Sequence, residues 1–412
     1  MVGARVKSDR GGWSLDESLA ELRQLAATAG LDVVGENTQA LDSINPATYV
    51  GKGKLEELRD LATEQPHELV LFDAELSPTQ QRNLEEELSS RVVDRTALIL
   101  DIFAAHARSR EGALQIELAQ YEYRLPRLTR QWTHLSRQGV GGVGLRGPGE
   151  TQLESDRRDI RRRITHLRRQ LEEVRSQRQR YRSRRQESAI PTVAIVGYTN
   201  AGKSTLLNVI TGADVLTEDK LFATLDPTTR RIALPGGREV LFTDTVGFIQ
   251  RLPTMLVAAF RATLEEIAQS DLIVHVVDLT SRNVLGQCWA VAETLKEIGA
   301  DQLPIITALN KLDRLDVSSP DRVNELLTRF PSSVGVSALT GQGIGILLER
   351  IGQALKGQMI DVVVCVPFSA GDTVALLHRY GSVESEKSVP GGLEIRAQIP
   401  ASLVGRVEPF LK

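Results

Sequence analysis

Cysteine is scarce: Cys288 and Cys365 are the two in 412 residues. They lie far apart and match no metal-ligand spacing, so the expectation is two reduced thiols among apolar neighbours. Long apolar runs are lacking too. None approaches the roughly 18 residues of a membrane span, and the N-terminal Met1-Val-Gly-Ala-Arg-Val-Lys-Ser-Asp-Arg10 has no apolar core of signal-peptide length. A cytoplasmic protein without membrane insertion is expected. Charge of one sign is also missing. With 50 Lys+Arg against 53 Asp+Glu the formal net charge is -3, so any nucleic-acid contact must come from a local patch. A hydrophobic share of 41% and a charged share of 25% are those of a packed protein, and the length suggests two or three domains.

Against that ordinary background one stretch stands out. A short apolar run, Val193 to Val196, leads into Gly197, Tyr198, Thr199, Asn200, Ala201, Gly202, Lys203, Ser204 and Thr205, and a periodic apolar segment (Leu206, Leu207, Val209, Ile210) follows. Strand, glycine loop and helix in that order form a phosphate-binding loop. Its glycines let backbone N–H groups close around phosphate oxygens at the positive end of the new helix. Lys203 can reach the β- and γ-phosphates, and the Ser204 hydroxyl can hold Mg²⁺.

Further segments complete a nucleotide site across residues 190–356. The polar stretch from Leu221 to Arg230 precedes a strand. Within it Thr224, chosen over Thr228 and Thr229, is placed to meet the metal when a γ-phosphate is present. The strand from Glu239 to Thr243 ends in Asp244, Thr245, Val246 and Gly247. There Asp244 can hold Mg²⁺ directly or through water, and the Gly247 N–H can sense the γ-phosphate. Lys203 and Gly247 are thus the candidate catalytic groups. Asn310, Lys311, Leu312 and Asp313 follow another apolar strand. A carboxylate at Asp313 accepts two hydrogen bonds from the N–H and NH₂ edge of guanine, which adenine lacks. Ser337, Ala338 and Leu339 can close over the guanine oxygen. His275, inside the apolar run from Leu272 to Asp278, reads as a packed core histidine. Phe248 stands where a water-orienting glutamine follows the Asp-x-x-Gly motif in many GTPases, so slow intrinsic hydrolysis is expected. Asn200 reads equally as a turn residue or as a ligand for an activating K⁺.

The flanking regions differ in kind. Residues 14–106 alternate helical and strand patterns: a helical stripe over Leu15–Ala26, strands over Leu31–Gly35, Glu68–Asp73 and Arg91–Asp94, and a helix started by Ser77 and Pro78. The opening Met1–Val6 is a poor version of a strand. The loop from Tyr49 to Lys54 reads as a plain turn. Leu114, Leu118, Tyr121, Leu125, Leu128, Trp132 and Leu135, spaced 4 and 3 in alternation, form a coiled-coil seam that Pro126 should kink. A second seam runs over Leu153, Ile160, Ile164, Leu167, Leu171, Val174 and Tyr181, and six glycines lie between 139 and 149. An antiparallel helical hairpin is expected, with arms of about 30 residues holding a glycine loop roughly 45 Å from the base. Residues 155–188 carry 13 Arg, no Lys and five acidic residues, a local basic stripe suited to phosphate. Arg146, Arg157, Arg158, Arg161, Arg162, Arg168 and Arg169 are the RNA-contact candidates. Residues 360–412 read as a small βαββα domain with no chemistry of its own.

Beyond the nucleotide motifs, the segments Tyr49–Lys54, Leu76–Leu84, Val93–Thr96, Ser109–Gly112, Glu117–Gln120, Arg146–Glu154 and Phe222–Arg230 resemble the HflX family of ribosome-associated GTPases along nearly the whole chain. The resemblance implies the fold class α/β: a P-loop GTPase domain with a doubly wound, mostly parallel sheet at 189–357. It is preceded by a small α/β domain (1–108) and the helical hairpin (109–188, tip loop 138–150), and followed by a small α+β domain (358–412). It implies that Phe222, Ala223, Thr224, Leu225 and Asp226 join the nucleotide loops, with Ser204 and Thr224 as Mg²⁺ ligands. It further implies a monomer that binds GTP and GDP and associates with the large (50S) ribosomal subunit and its rRNA, to split or rescue stalled ribosomes under stress. Some family members also hydrolyse ATP and act on RNA structure. The alternative is a nucleotide-controlled rRNA chaperone or ribosome-assembly factor.

Overall fold

A computed structural model of the chain describes residues 1–7, 13–128, 148–186, 190–212, 221–222, 228–235, 237–250, 264, 266–315, 328–330, 332–357, 359–400 and 403–412. The chain clusters into two units. One takes in Met1–Val174, Glu218–Asp226 and Gln250–Arg261, the other Arg175–Thr217, Pro227–Ile249 and Ala262–Lys412.

In the first unit β1 (Val2–Val6), β2 (Asn37–Leu41), β3 (Leu69–Phe72) and β4 (Arg91–Asp94) pair in parallel in the order β2-β1-β3-β4. The helices joining them start where side chains can take up orphan backbone donors. Ser14 and Glu17 form a capping box at α1 (Leu15–Thr28). Ser77, Pro78 and Gln80 do the same at α3 (Pro78–Leu88), and Asp94 caps α4 (Arg95–His106). Between them α2 (Lys52–Glu64) starts at Gly51, the turn expected from the Tyr49–Lys54 stretch.

Two local expectations are corrected here. The opening residues form a central strand, not a doubtful one. Gly3 is what that strand needs, because a Cβ there would meet Leu19 at 3.0 Å, and α1 packs directly on it. Leu31–Gly35 is not a strand. Gly30 turns left-handed (φ 75°) and the Leu31 N–H closes onto the Ala26 carbonyl at 2.9 Å, which makes Leu31 part of the α1 cap. The strand is instead the polar edge segment Asn37–Leu41.

α5 (Arg110–Arg124) stops at Arg124 and tightens to a 3₁₀ turn over Leu125–Arg127, with Pro126 inside it. The expected seam is therefore interrupted there, and Trp132 and Leu135 lie outside the described residues. The buried face of α5 is also rotated: Gly112, Gln115, Ile116, Ala119 and Tyr123 are buried, while Leu114, Leu118 and Tyr121 are half-buried. On α6 (Pro148–Gln186) the middle of the second seam is buried at Ile164, Leu167 and Leu171, Ile160 and Val174 are half-buried, and the side chains of Leu153 and Tyr181 lie outside those described. Arg163 reaches Glu117 at 2.8 Å and Arg168 reaches Glu122 at 2.7 Å, tying α6 to α5.

Asp94 joins sheet and helices. Its fully buried carboxylate accepts from the Ala97 N–H (2.8 Å), the Tyr123 hydroxyl (2.9 Å), the Leu76 N–H (3.1 Å) and the Arg127 guanidinium (3.3 Å). Arg127 also lies 3.5 Å above the Tyr123 ring.

In the second unit β5 (Thr192–Gly197), β6 (Thr228–Ala233), β7 (Glu239–Asp244), β8 (Leu272–Asp278), β9 (Ile305–Asn310) and β10 (Ser333–Gly335) make one sheet. Its order is β10-β9-β8-β5-β7-β6, parallel except for β6. Around it lie α7 (Lys203–Thr211), α8 (Val284–Glu297) and α9 (Ile344–Lys356). Val193, Ile195, Leu206, Leu207, Phe242, Val274, Val276, Leu347 and Ile351 fill one continuous core. This is the doubly wound, mostly parallel sheet expected of the segment. The C-terminal part is the expected βαββα piece. β11 (Met359–Pro367), β12 (Ser382–Val389) and β13 (Gly392–Pro400) form an antiparallel sheet in the order β11-β13-β12. α10 (Gly371–Tyr380) and the short α11 (Val404–Val407) contribute to its core.

Asp94→Ala should destabilise the protein by about 3 kcal/mol or more in urea unfolding, because it takes away the carboxylate partner of the part-buried Arg127, leaves the Tyr123 hydroxyl and Leu76 N–H without their acceptor and removes a helix cap. Tyr123→Phe, losing one hydrogen bond, should cost about 1 kcal/mol. Equal small losses from both would contradict the assignment of Asp94 as the anchor.

Candidate functional site

The C-terminal ends of β5, β7, β8 and β9 bring the predicted segments together. β5 runs into the loop at 198–202, and α7 begins at Lys203 behind Gly202 (φ 92°). No other residue fits at Gly202, since a Cβ would stand 2.3 Å from the Asn310 amide nitrogen. Asn200 (φ 60°) turns the loop and is exposed.

Lys203 is buried and folds back over the loop. Its ammonium donates to the Tyr198 carbonyl at 2.8 Å and the Gly197 carbonyl at 3.2 Å. Burial pushes its pKa down to about 8, with Asp244 pulling the other way. Gly247 lies against this group: a Cβ there would come within 3.0 Å of the Lys203 ammonium and 2.9 Å of the Thr199 methyl. The two candidate catalytic groups, Lys203 and Gly247, are therefore neighbours.

Ser204 donates to the Asp244 carboxylate at 2.7 Å, and the other carboxylate oxygen accepts the Thr245 N–H at 3.0 Å. Two hard oxygen donors on adjacent elements suit Mg²⁺, which takes few protein ligands beside phosphate and water. Ala223, Thr224, Leu225 and Asp226 lie outside the described residues, as does Arg146. Phe222 is buried in the first unit, its ring centroid 4.5 Å from that of Phe103.

On the base side, Asn310 donates to the Ala201 carbonyl at 2.8 Å and accepts the Ala338 N–H at 2.9 Å. One side chain thus joins the phosphate loop, the tetrad and the Ser337–Leu339 segment. Ser337 donates to Asp313 at 2.5 Å and accepts from the Thr340 N–H at 3.1 Å, which fixes the orientation of the carboxylate. Leu339 is exposed beside them. His275 is buried, and burial, with Lys203 adding to it, lowers its pKa to about 4, so the ring is a neutral core group.

Two features escaped the sequence. Phe248 is stitched to the phosphate loop by its backbone: its N–H donates to the Gly197 carbonyl (3.1 Å), and its carbonyl accepts the Thr199 N–H (2.7 Å). Backbone pairing of this kind leaves no residue-type signal. Asp278, at the end of β8, forms an ion pair with Lys311 at 2.7 Å. Its signal was an acid closing an otherwise apolar strand.

Sheet order, phosphate loop and base-side tetrad define a P-loop GTPase. Family profiles agree: "GTP-binding GTPase N-terminal" matches residues 16–104, "GTP-binding GTPase Middle Region" 106–185 and "50S ribosome-binding GTPase" 192–311. The GTPase HflX of Caldanaerobacter subterraneus subsp. tengcongensis is 47% identical over 96% of this chain and 90% of its own length. That of Escherichia coli is 43% identical over 93% and 90%. The chain belongs to the HflX family of GTPases, and it is an enzyme that hydrolyses GTP. A solved GTP-binding protein from Sulfolobus solfataricus in complex with GDP is 27% identical, covers 86% of this chain and 98% of its own, and has a TM-score of 0.43.

The depressed Lys203 gives a sign-definite expectation. Below about pH 8 the free lysine is already charged; at pH 9 it is mostly neutral, and phosphates beside it favour the charged form. GDP binding should then take up about one proton at pH 9, an uptake that shrinks as the pH falls through 8. Calorimetry in buffers of different ionisation enthalpy reads this directly, and no uptake at pH 9 would contradict it.

Proposed function

We propose that this GTPase binds the large ribosomal subunit through the arginine face of α6 and the glycine loop at 138–150, and that bound GTP sets when it does so. On this reading the protein works in the cytoplasm, splitting or rescuing stalled ribosomes under stress. The observation that carries it is the division of α6 into two faces. Ile164, Leu167 and Leu171 are buried, while Arg158, Arg161, Arg162 and Arg169 are exposed. Arg162 and Arg169 meet only neighbouring acids of their own helix, at 3.5 Å from Asp159 and 4.0 Å from Glu173, surface pairs of little strength. Arg168 is engaged with Glu122 and is a weaker candidate for the same role; Arg157 is half-exposed. A guanidinium row so weakly paired suits rRNA phosphates. The description of the family matched by residues 192–311 as a 50S ribosome-binding GTPase supports the same partner.

In the catalytic cycle, Lys203 holds the β- and γ-phosphates and the Gly247 N–H meets the γ-phosphate. Ser204, Asp244 directly or through water, and Thr224 would hold Mg²⁺, which would neutralise phosphate charge there. The Tyr198–Thr205 backbone cradles them. Asp313, oriented by Ser337, selects guanine, with Lys311, Leu312, Ala338 and Leu339 around the base. Phe248 offers no group to orient water, so contact with the ribosome completes the site. On the same reading Asn200, exposed in the phosphate loop, holds K⁺ near the phosphates, the alternative being a turn residue alone.

Replacing Arg158, Arg161 and Arg162 together by Glu should weaken co-sedimentation with large subunits, in the presence of a non-hydrolysable GTP analogue, by at least about tenfold at moderate salt. GDP affinity, measured on the same protein, checks that the nucleotide site is intact. Undiminished pelleting would refute the docking role. Equal binding to any structured RNA, with or without the analogue, would favour the second reading, an rRNA chaperone. Turnover should be faster in potassium than in sodium; equal rates would remove the cation.

A further inference from the structure

We propose that Asp278 is a positioning residue for nucleotide binding, acting through Lys311 to fix one wall of the nucleoside pocket. The inference rests on the reading of Asn310–Asp313 as the guanine site. Asp278 ends β8 in register with Asn310 at the end of β9, and the Leu279 N–H donates to the Asn310 carbonyl at 3.1 Å. The carboxylate is itself held rigidly. One oxygen accepts both the Thr280 N–H (2.8 Å) and the Thr280 hydroxyl (2.6 Å), which leaves the other for the Lys311 ammonium at 2.7 Å. Both side chains are only 16% exposed, so the pair is shielded from solvent.

Lys311 needs such a partner. Its backbone is left-handed (φ 69°), a conformation an L-residue adopts at a cost. Its four-carbon stem is otherwise free to sample many rotamers. Lys311 stands two residues before Asp313, and the exposed Leu339 stands two residues after Ser337, the partner of Asp313. A stem anchored by its ammonium gives a base a fixed apolar surface to lie against; an unanchored one must be ordered each time a nucleotide binds. Among the described residues the Asp278 carboxylate bonds to Thr280 and Lys311 and to no phosphate-side residue, so its effect falls on affinity and not on the hydrolytic step. It also does not read the base edge, so the effect is blind to the exocyclic amino group that Asp313 recognises.

Four variants of the full chain test this: Asp278→Ala, Asp278→Asn, Lys311→Ala and Asp278→Ala with Lys311→Ala, each titrated with GDP and with inosine diphosphate. Asp278→Ala should weaken both nucleotides by the same factor, about tenfold, and raise KM for GTP far more than it changes kcat. Asp278→Asn, which keeps the acceptor for Thr280 and loses the charge, should lie between. On the Lys311→Ala background the Asp278 change should have no further effect. Additive losses in the double variant, a loss confined to GDP, or unchanged affinity in Asp278→Ala while Lys311→Ala weakens binding would each overturn the proposal. Unchanged GDP affinity in Lys311→Ala would overturn the nucleoside-site reading itself, and this inference with it.

Discussion

The amide of Asn310 is the interaction on which the site depends. Its nitrogen holds the Ala201 carbonyl in the phosphate loop, and its oxygen holds the Ala338 N–H beside the base. Both bonds are buried, and removing either partner leaves a polar group with no water to replace it, a cost of about 1–3 kcal/mol each. Gly202 must be glycine because this amide occupies the space a side chain would need. The sheet order β9-β8-β5 sets the two motifs close enough for one short side chain to span them. The core beneath, with Val274, Val276 and Ala308 fully buried, holds those strand ends in place.

A second constraint works on the phosphate side. Among the described residues Lys203 has no ion-pair partner, and it lies on the carbonyls of Gly197 and Tyr198. The backbone of Phe248 is paired with Gly197 and Thr199, and its ring is buried at 2% exposure. The chain leaving Asp244 is thereby pressed against the loop that receives the phosphates, which is why Gly247 has room for no Cβ. Ligand charge thus arrives at a buried cation whose own hydrogen bonds are weak substitutes for phosphate oxygens.

The segments that the strand ends bring together were legible because their residues act by type: glycine for left-handed turns and close approach, and Ser204, Asp244 and the Asn310–Asp313 tetrad by their motif and its place after a strand or at a helix start. The C-terminal βαββα order was legible for the same reason, since Gly391 and Gly392 turn between two alternating strands. Legibility failed where tertiary context overrode local pattern. β1 carries Gly3 and Arg5 and looked weak, yet it is central, because the glycine accommodates Leu19 and α1. Leu31–Gly35, with Val33 and Val34, looked like a strand, yet Leu31 serves a helix end and Val34 is exposed. On α5 the leucines announced a seam, while the deepest positions went to Gln115, Ile116 and Ala119. Ion pairs such as Asp278–Lys311 join residues 33 positions apart and leave no spacing to read.

The claim at the centre is that one asparagine assembles phosphate cradle and base reader into a single site. Titration of Asn310→Ala with GDP tests it most directly. The account predicts an affinity loss of at least about 30-fold, the lower bound for two buried bonds left unmade at about 1 kcal/mol each, with the fold retained by circular dichroism. A folded Asn310→Ala protein that binds GDP within a few-fold of the parent would contradict it.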